Sequence, residues 1–344
     1  MRAMVMAAGA GTRLRPLTFS VPKPMVPVAN RPVLEYTIEN LRRHGITELV
    51  LNLHSHPQLI KNHFQNGERW GVRIHYSPEP KLLGTAGGVK KAASFLRGET
   101  FIVMSGDGLT DIDLTQLIKF HRRHKSVGTI ALKPIDTRFE YGVTLTNAQG
   151  RITRFIEKPK WSDVFSNRVN TGIYVFEPSI LSEIPSGKVY DFGQTLWPKL
   201  LKKRSRIFGQ VIDTYWCDVG NLSEYRRAQK DVLDGKVHLP FPGRLIRPRI
   251  WVDEGTVIDR TVKLESPCLI GKNCRIGPGS RVGSYTVIGN DARIGRNTTL
   301  RNCILWNNVR VDNRVRLENC VIGHGARVTE NISVYEGAVI NISA

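Results

Sequence analysis

The 344-residue chain has no run of 18 apolar residues, so hydropathy offers no transmembrane helix. Its start, Met1-Arg2-Ala3-Met4-Val5-Met6-Ala7-Ala8-Gly9, is too short an apolar stretch for a signal peptide, and a soluble, cytoplasmic protein with no membrane partner is expected. Cysteine is scarce. Cys217, Cys268, Cys274, Cys303 and Cys320 are odd in number and none stands in a C-x-x-C spacing, which argues against a disulfide framework or a structural zinc. Acidic residues are also few, 30 against 50 basic, and the net charge of +20 suggests a polyanionic partner. Residues 1–240 carry +14 and residues 241–344 carry +6, and no basic tract interleaved with aromatics gathers that charge. Small phosphorylated ligands are therefore expected rather than nucleic acid.

What the sequence does contain divides into two halves with different periods. In the first, apolar runs at residues 3–8, 48–53, 72–76 and 101–104 read as strands, and they alternate with helical stretches. Leu34, Ile38 and Leu41 recur at helical spacing before Gly45; residues 60–64 and 86–96 continue the pattern, and Asp113 reads as the N-cap of a helix over 114–123. The fold expected is α/β, a doubly wound, mainly parallel, Rossmann-like sheet over residues 1–235. A linker over 236–249 contains Pro240-Phe241-Pro242-Gly243, and a second domain spans 250–344.

The second half keeps a period of six. Val252, Ile258, Leu264, Ile270, Ile276, Val282, Ile288, Ile294 and Leu300 fall on every sixth position, and Trp306 continues the count. A small or β-branched residue stands two positions before most of them, as Cys268, Cys274, Ser280 and Thr286 do. Gly271, Gly277, Gly283, Gly289 and Gly295 each follow an aliphatic, where a tight corner would need a residue without a Cβ. This predicts a left-handed parallel β-helix of hexapeptide repeats with the aliphatics stacked inside. After Trp306 the phase slips by one, to Val311 and Leu317, and again to Ile322, Val328, Val334 and Ile340, as shortened corners would produce. Cys268 and Cys274 are expected in the packing. His324, in Gly323-His324-Gly325, offers a second chemistry, that of an acyltransferase base.

The first strand runs into Gly9-Ala10-Gly11-Thr12-Arg13-Leu14-Arg15-Pro16. Two glycines let backbone N–H groups approach an anion. Leu14 occupies the place of the third glycine of a dinucleotide fold, and no Gly-Lys-Ser/Thr follows as in a Walker loop. Instead come Arg13, Arg15 and Lys23, the last set between Pro22 and Pro24: three cations suited to a triphosphate. Asp107 follows an apolar strand, where open α/β sheets bind ligands, and Asp218 sits in a short segment ended by Gly220.

Gly9-x-Gly11-Thr12-Arg13-x-Arg15-Pro16 with Pro22-Lys23-Pro24 resembles the signature of the sugar-nucleotide pyrophosphorylases. The resemblance continues through Leu83-Gly84-Thr85-Ala86-Gly87, Ser105-Gly106-Asp107, Tyr141-Gly142-Val143, Glu157-Lys158-Pro159, Asn170-Thr171-Gly172 and Trp216-Cys217-Asp218-Val219-Gly220. It implies transfer of a nucleoside monophosphate from a triphosphate to a sugar 1-phosphate, with pyrophosphate leaving. By the same resemblance Arg13, Lys23 and Asp107 are catalytic, and Asp107 and Asp218 hold Mg²⁺. Ala8, Gly9, Gly11, Thr12, Arg13, Glu79, Gly84 and Thr85 bind the nucleotide; Gly142, Glu157, Lys158 and Asn170 bind the sugar phosphate.

The run Pro24-Met25-Val26-Pro27-Val28 and the hexapeptide tail are most similar to the mannose-1-phosphate guanylyltransferase branch, and a carboxylate at Glu79 would suit the guanine N1–H and N2–H₂ edge. GTP and mannose 1-phosphate are the expected substrates. Ala8, where a glycine is usual, points instead toward glucose 1-phosphate uridylyl- or thymidylyltransferases. A non-catalytic, nucleotide-sugar-binding subunit would be expected to lack Lys23, Asp107 or Asp218, and all three are present. Homo-oligomers through the β-helix are expected, with Ile340 and Ile342 as covered surface.

Overall fold

A computed structural model describes residues 1–136 and 140–339. By their contacts these residues form two units, one of Met1–Ala10, Pro22–Met25 and Val33–Asp218, the other of Gly11–Val21, Val26–Pro32 and the chain from Val219 onward.

The first unit is built on a nine-stranded sheet. Arg73–Pro78, Glu48–Leu53, Arg2–Met6 and Phe101–Ser105 lie side by side and parallel. Apolar residues run unbroken through residues 3–6, 49–51 and 101–104, whose two faces are covered, whereas the edge strand Arg73–Pro78 exposes Arg73 and His75. Ala3, Val5, Leu49 and Leu51 pack on one side with Leu34, Ile38 and Leu41 of the helix Val33–Arg43. Met4, Val50 and Val103 pack on the other with Ala86 and Val89 of the helix Gly84–Lys91 and with Trp197. Beyond Phe101–Ser105 the sheet changes direction: Arg168–Phe176 pairs with it antiparallel, and Val143–Thr146 and Ile152–Ile156 continue that sense. Gly128–Pro134 also joins Arg168–Phe176 antiparallel, and Ile207–Val211 pairs parallel to it. Asp113 accepts from the Gln116 amide at 3.1 Å and caps the helix Leu114–Arg123, as the sequence indicates.

The second unit is a parallel β-helix of three sheets. Ile270, Ile288, Leu305 and Ile322 stack in register inside it. Ile270 to Ile288 is a coil of 18 residues; Ile288 to Leu305 is one of 17. The shortened corner thus precedes Leu305, and the inward position that the six-residue count gave to Trp306 belongs to Leu305. Trp306 is still buried, but on the outside, where its indole N–H donates to the Tyr225 hydroxyl at 2.9 Å. Ile340 and Ile342 lie outside the described residues; Val339 pairs with Ile322.

The corners also differ from expectation. Left-handed backbone falls mostly on Asn273, Tyr285, Asp291, Asn297, Asn302, Asn308 and their counterparts. Asparagine tolerates that conformation through its short polar side chain. Gly289 and Gly295 serve close approach instead: a Cβ on either would stand 2.6 Å from the backbone of the next coil, at Trp306 and Asp312.

The outer face of the seven-stranded sheet is apolar and covered. Leu269, Val287, Ile304 and Val321 point away from the interior and are still buried. The helix Leu222–Leu233, capped by Asn221, groups with this unit through Trp306–Tyr225 and through Arg226, which donates to the Asn319 carbonyl at 2.6 Å. The residues between helix and coils are pinned as well: Arg249 pairs with Asp234, and Phe241 stacks on Trp251 at 4.1 Å.

Candidate active site

Two strands that the sequence does not flag as partners create the centre. Trp216–Asp218 pairs antiparallel with Gly108–Thr110, setting Asp218 opposite Gly108 and therefore beside Asp107. Lys23, in the short turn Lys23–Met25 between its prolines, reaches both carboxylates: its Nζ pairs with Asp107 Oδ2 and donates to Asp218 Oδ1 at 2.9 Å. The three side chains are 10%, 19% and 16% exposed, so their charges act on one another with little solvent screening. Burial alone would push the Asp107 carboxyl up; Lys23 beside it, the Ser105 hydroxyl and a backbone N–H outweigh that and hold it below the usual range. Burial likewise opposes the Lys23 charge, and the two aspartates raise its pKa instead.

Among the described residues no cluster of three or more His, Cys, Asp or Glu could hold a metal. The two carboxylates nonetheless gather round one cation, the Lys23 ammonium, and their oxygens are the hard donors that Mg²⁺ takes.

Next to this centre lies a second cluster. Gly172 abuts Ser105, whose hydroxyl donates to Asp107. Two residues back, Asn170 donates its side-chain amide to the Tyr174 hydroxyl at 2.9 Å, and its backbone N–H bonds the Gly142 carbonyl at 2.8 Å. Glu157 lies between two glycines: a Cβ on Gly142 would stand 2.6 Å from Glu157 Oε2, and one on Gly193 would stand 2.1 Å from it. Burial, with Asp191 nearby, raises the Glu157 pKa against the pull of Lys158. Lys158 itself is exposed.

The first turn of the helix Gly84–Lys91 rests on Tyr190 and Asp191. A Cβ on Gly84 would lie 2.6 Å from the Tyr190 carbonyl, and Thr85 donates to Asp191 Oδ2 at 2.9 Å while accepting from the Phe192 amide. Sequence reasoning missed Asp191, Tyr174 and Asn52. For Asp191 a signal existed, since it precedes Phe192-Gly193-Gln194 as an N-cap and accepts from Gly193 N at 2.9 Å.

Glu79 is held by its own fold. It is 3% exposed, its Oε1 accepts from Asn52 and its Oε2 from the Leu83 amide. Asn52 Oδ1 in turn accepts from Ala7 N at 2.8 Å, so Glu79 braces the turn that leads to Ala8 and Gly9. Ala8 is buried and Gly9 exposed, with nothing within 4 Å of the place a Gly9 Cβ would take. In the second unit Gly11 has φ 62°, and its carbonyl accepts from Thr18 Oγ1 at 2.7 Å; Thr12 and Arg13 follow on an exposed turn. His324 meets Trp306 edge-on at 4.8 Å.

Comparison with known proteins identifies the family. The family model described as "Nucleotidyl transferase" matches residues 2–235, and that of the "EIF2B subunit epsilon LbH domain", a left-handed β-helix, matches 247–344. A UTP–glucose-1-phosphate uridylyltransferase of Synechocystis is 37% identical over 286 residues, 79% of this chain and 74% of that protein. A mannose-1-phosphate guanylyltransferase of Mycobacterium tuberculosis is 32% identical over 274 residues, 76% of each. The crystal structure of HddC from Yersinia pseudotuberculosis has the same fold, with a TM-score of 0.59 at 24% identity, covering 67% of this chain and 99% of that one. Matched over its whole first half by that model, the chain belongs to the nucleotidyl transferase family.

Proposed function

We propose that the protein joins a nucleoside triphosphate to a sugar 1-phosphate, releasing pyrophosphate. The observation that carries this reading is the meeting of Lys23, Asp107 and Asp218 at one point. A phosphate monoester is already an anionic nucleophile at neutral pH, so no proton need be removed; alignment and charge neutralisation suffice. Asp107 and Asp218 would hold Mg²⁺, which when bound supplies charge to the triphosphate oxygens. Lys23, released from the carboxylates, stabilises charge at the phosphoryl group that transfers. Gly9, Gly11, Thr12 and Arg13 bind the phosphate chain. Gly84 and Thr85 shape the nucleotide side. Glu157 and Asn170 take sugar hydroxyls, Gly142 gives a backbone contact, and Lys158 meets the sugar phosphate.

For the substrates, GTP with mannose 1-phosphate is supported by the motif run from Pro24 to Val28 and by the guanylyltransferase relatives. UTP with glucose 1-phosphate is the second reading, favoured by Ala8 and by the Synechocystis relative. Glu79, whose oxygens each already accept one bond from the fold, would read a guanine edge through its remaining lone pairs. Four triphosphates tested against mannose, glucose and N-acetylglucosamine 1-phosphates, with pyrophosphate release as readout, decide the matter. Mg²⁺-dependent release with GTP and mannose 1-phosphate is expected; preference for UTP and glucose 1-phosphate selects the second reading, and no release with any pair refutes both.

A further inference from the structure

On the second sheet of the β-helix the outward side chains form one column. Val257, Arg275, Arg293, Arg310 and Arg327 face one another in register on successive coils. Adjacent strands stand about 4.8 Å apart, so four guanidinium groups are stacked as like-charge neighbours, an arrangement that destabilises a sheet. Elsewhere on the coils several basic side chains are met by acids: Lys272 by Glu254, Arg281 by Glu265, Arg301 and Arg316 by Glu318, Arg314 by Glu330. In the column only Arg327 is met, by Asp312 at 2.9 Å. Arg275, Arg293 and Arg310 have no acidic partner among the described residues.

These three arginines line a shallow cleft of about 490 Å³ together with Val257, Asp259 and Asp312. Both carboxylates are already engaged: Asp259 Oδ1 accepts from the Thr261 N–H and hydroxyl at 2.9 and 2.6 Å, and Asp312 holds Arg327. Three arginines thus face one carboxylate whose partners are uncharged, Asp259, and the lining is net positive. Its volume is that of a small-ligand site. A second copy of the chain is a poor occupant, because each copy carries +20.

We propose that this cleft binds a small oligophosphate anion, with successive arginine forks taking successive phosphoryl groups. Guanidinium pairs with phosphate through two parallel N–H···O bonds, and a chain of phosphates offers several such acceptors to a column of forks where a single carboxylate offers one. The site is separate from the residues given catalytic roles above and does not depend on the proposed reaction.

Isothermal titration of the full chain with inorganic tripolyphosphate, comparing wild type with Arg293→Ser and Arg293→Lys, tests this. Arg293→Ser is expected to take up one equivalent fewer than wild type with unchanged pyrophosphate-release turnover, and Arg293→Lys to keep that equivalent at roughly tenfold weaker affinity. GTP in place of tripolyphosphate should show the same missing equivalent; tighter binding than the inorganic anion assigns the Val257 rim to the base, and equal binding assigns the phosphates alone. Equal stoichiometry and affinity in wild type and Arg293→Ser would overturn the proposal, as would displacement of the anion by equimolar citrate. Should Arg293→Ser fold poorly, Arg310→Ser carries the same comparison.

Discussion

Lys23 is the residue on which most of the chemistry converges, and it illustrates what a sequence discloses about a side chain. Its two flanking prolines are visible as rigid punctuation; its two carboxylate partners, 84 and 195 positions along the chain, are not. Replacing it with alanine is expected to lower kcat by roughly 10²–10³-fold at saturating substrates, the scale of one lost charge-stabilising donor. Wild-type turnover in steady-state assays would remove it from the mechanism. Glu157 gives a prediction on stability. Burial raises its pKa, so between its unfolded value near ~4.3 and its folded value the native state holds the proton more firmly than the unfolded chain does. Stability from this group therefore falls as pH rises through that window. Glu157→Gln should raise the melting temperature at pH 7 while impairing activity, with the gain vanishing below about pH 4 in thermal unfolding scans. Glu79 shows what residue type alone does not disclose: two donors from its own fold, Asn52 and Leu83 N, hold its carboxylate.

Strands and helices were more legible than contacts. The strand at residues 48–53 and the Asp113-capped helix Leu114–Arg123 stand where hydrophobic pattern and capping chemistry put them, because both signals are local. The expected break in the six-residue count is real, but it lies before Leu305 rather than after Trp306. A large apolar residue fits either the interior stack or a covered outer face, and periodicity cannot tell which. Trp306→Ala should cost about 3–5 kcal/mol in denaturant unfolding, the range for removing a buried aromatic, and Tyr225→Phe distinctly less, since it loses the hydroxyl's bonds to the Trp306 indole and the Pro27 carbonyl but no packed volume. An equal, negligible effect of both would mean that the helix Leu222–Leu233 is not held by this contact. Gly289→Ala should destabilise by about 1–3 kcal/mol through its clash with the next coil, although its backbone angles suit alanine.

Taken along its full length, the chain announced both architectures, an α/β sheet and a β-helix, because each repeats its pattern many times. The turn to antiparallel pairing at Arg168–Phe176 and the joining of Trp216–Asp218 to Gly108–Thr110 depend on pairings between distant segments, which leave no periodic trace. The catalytic proposal rests on the second of these. If Asp107 and Asp218 hold one ion, their contributions are shared, and a double-mutant cycle reads that sharing directly. With kcat/KM for pyrophosphate release measured for Asp107→Asn, Asp218→Asn and the double variant, each single change is expected to cost roughly 10²-fold or more and the double little beyond the worse single. Losses that multiply independently would contradict a common metal site.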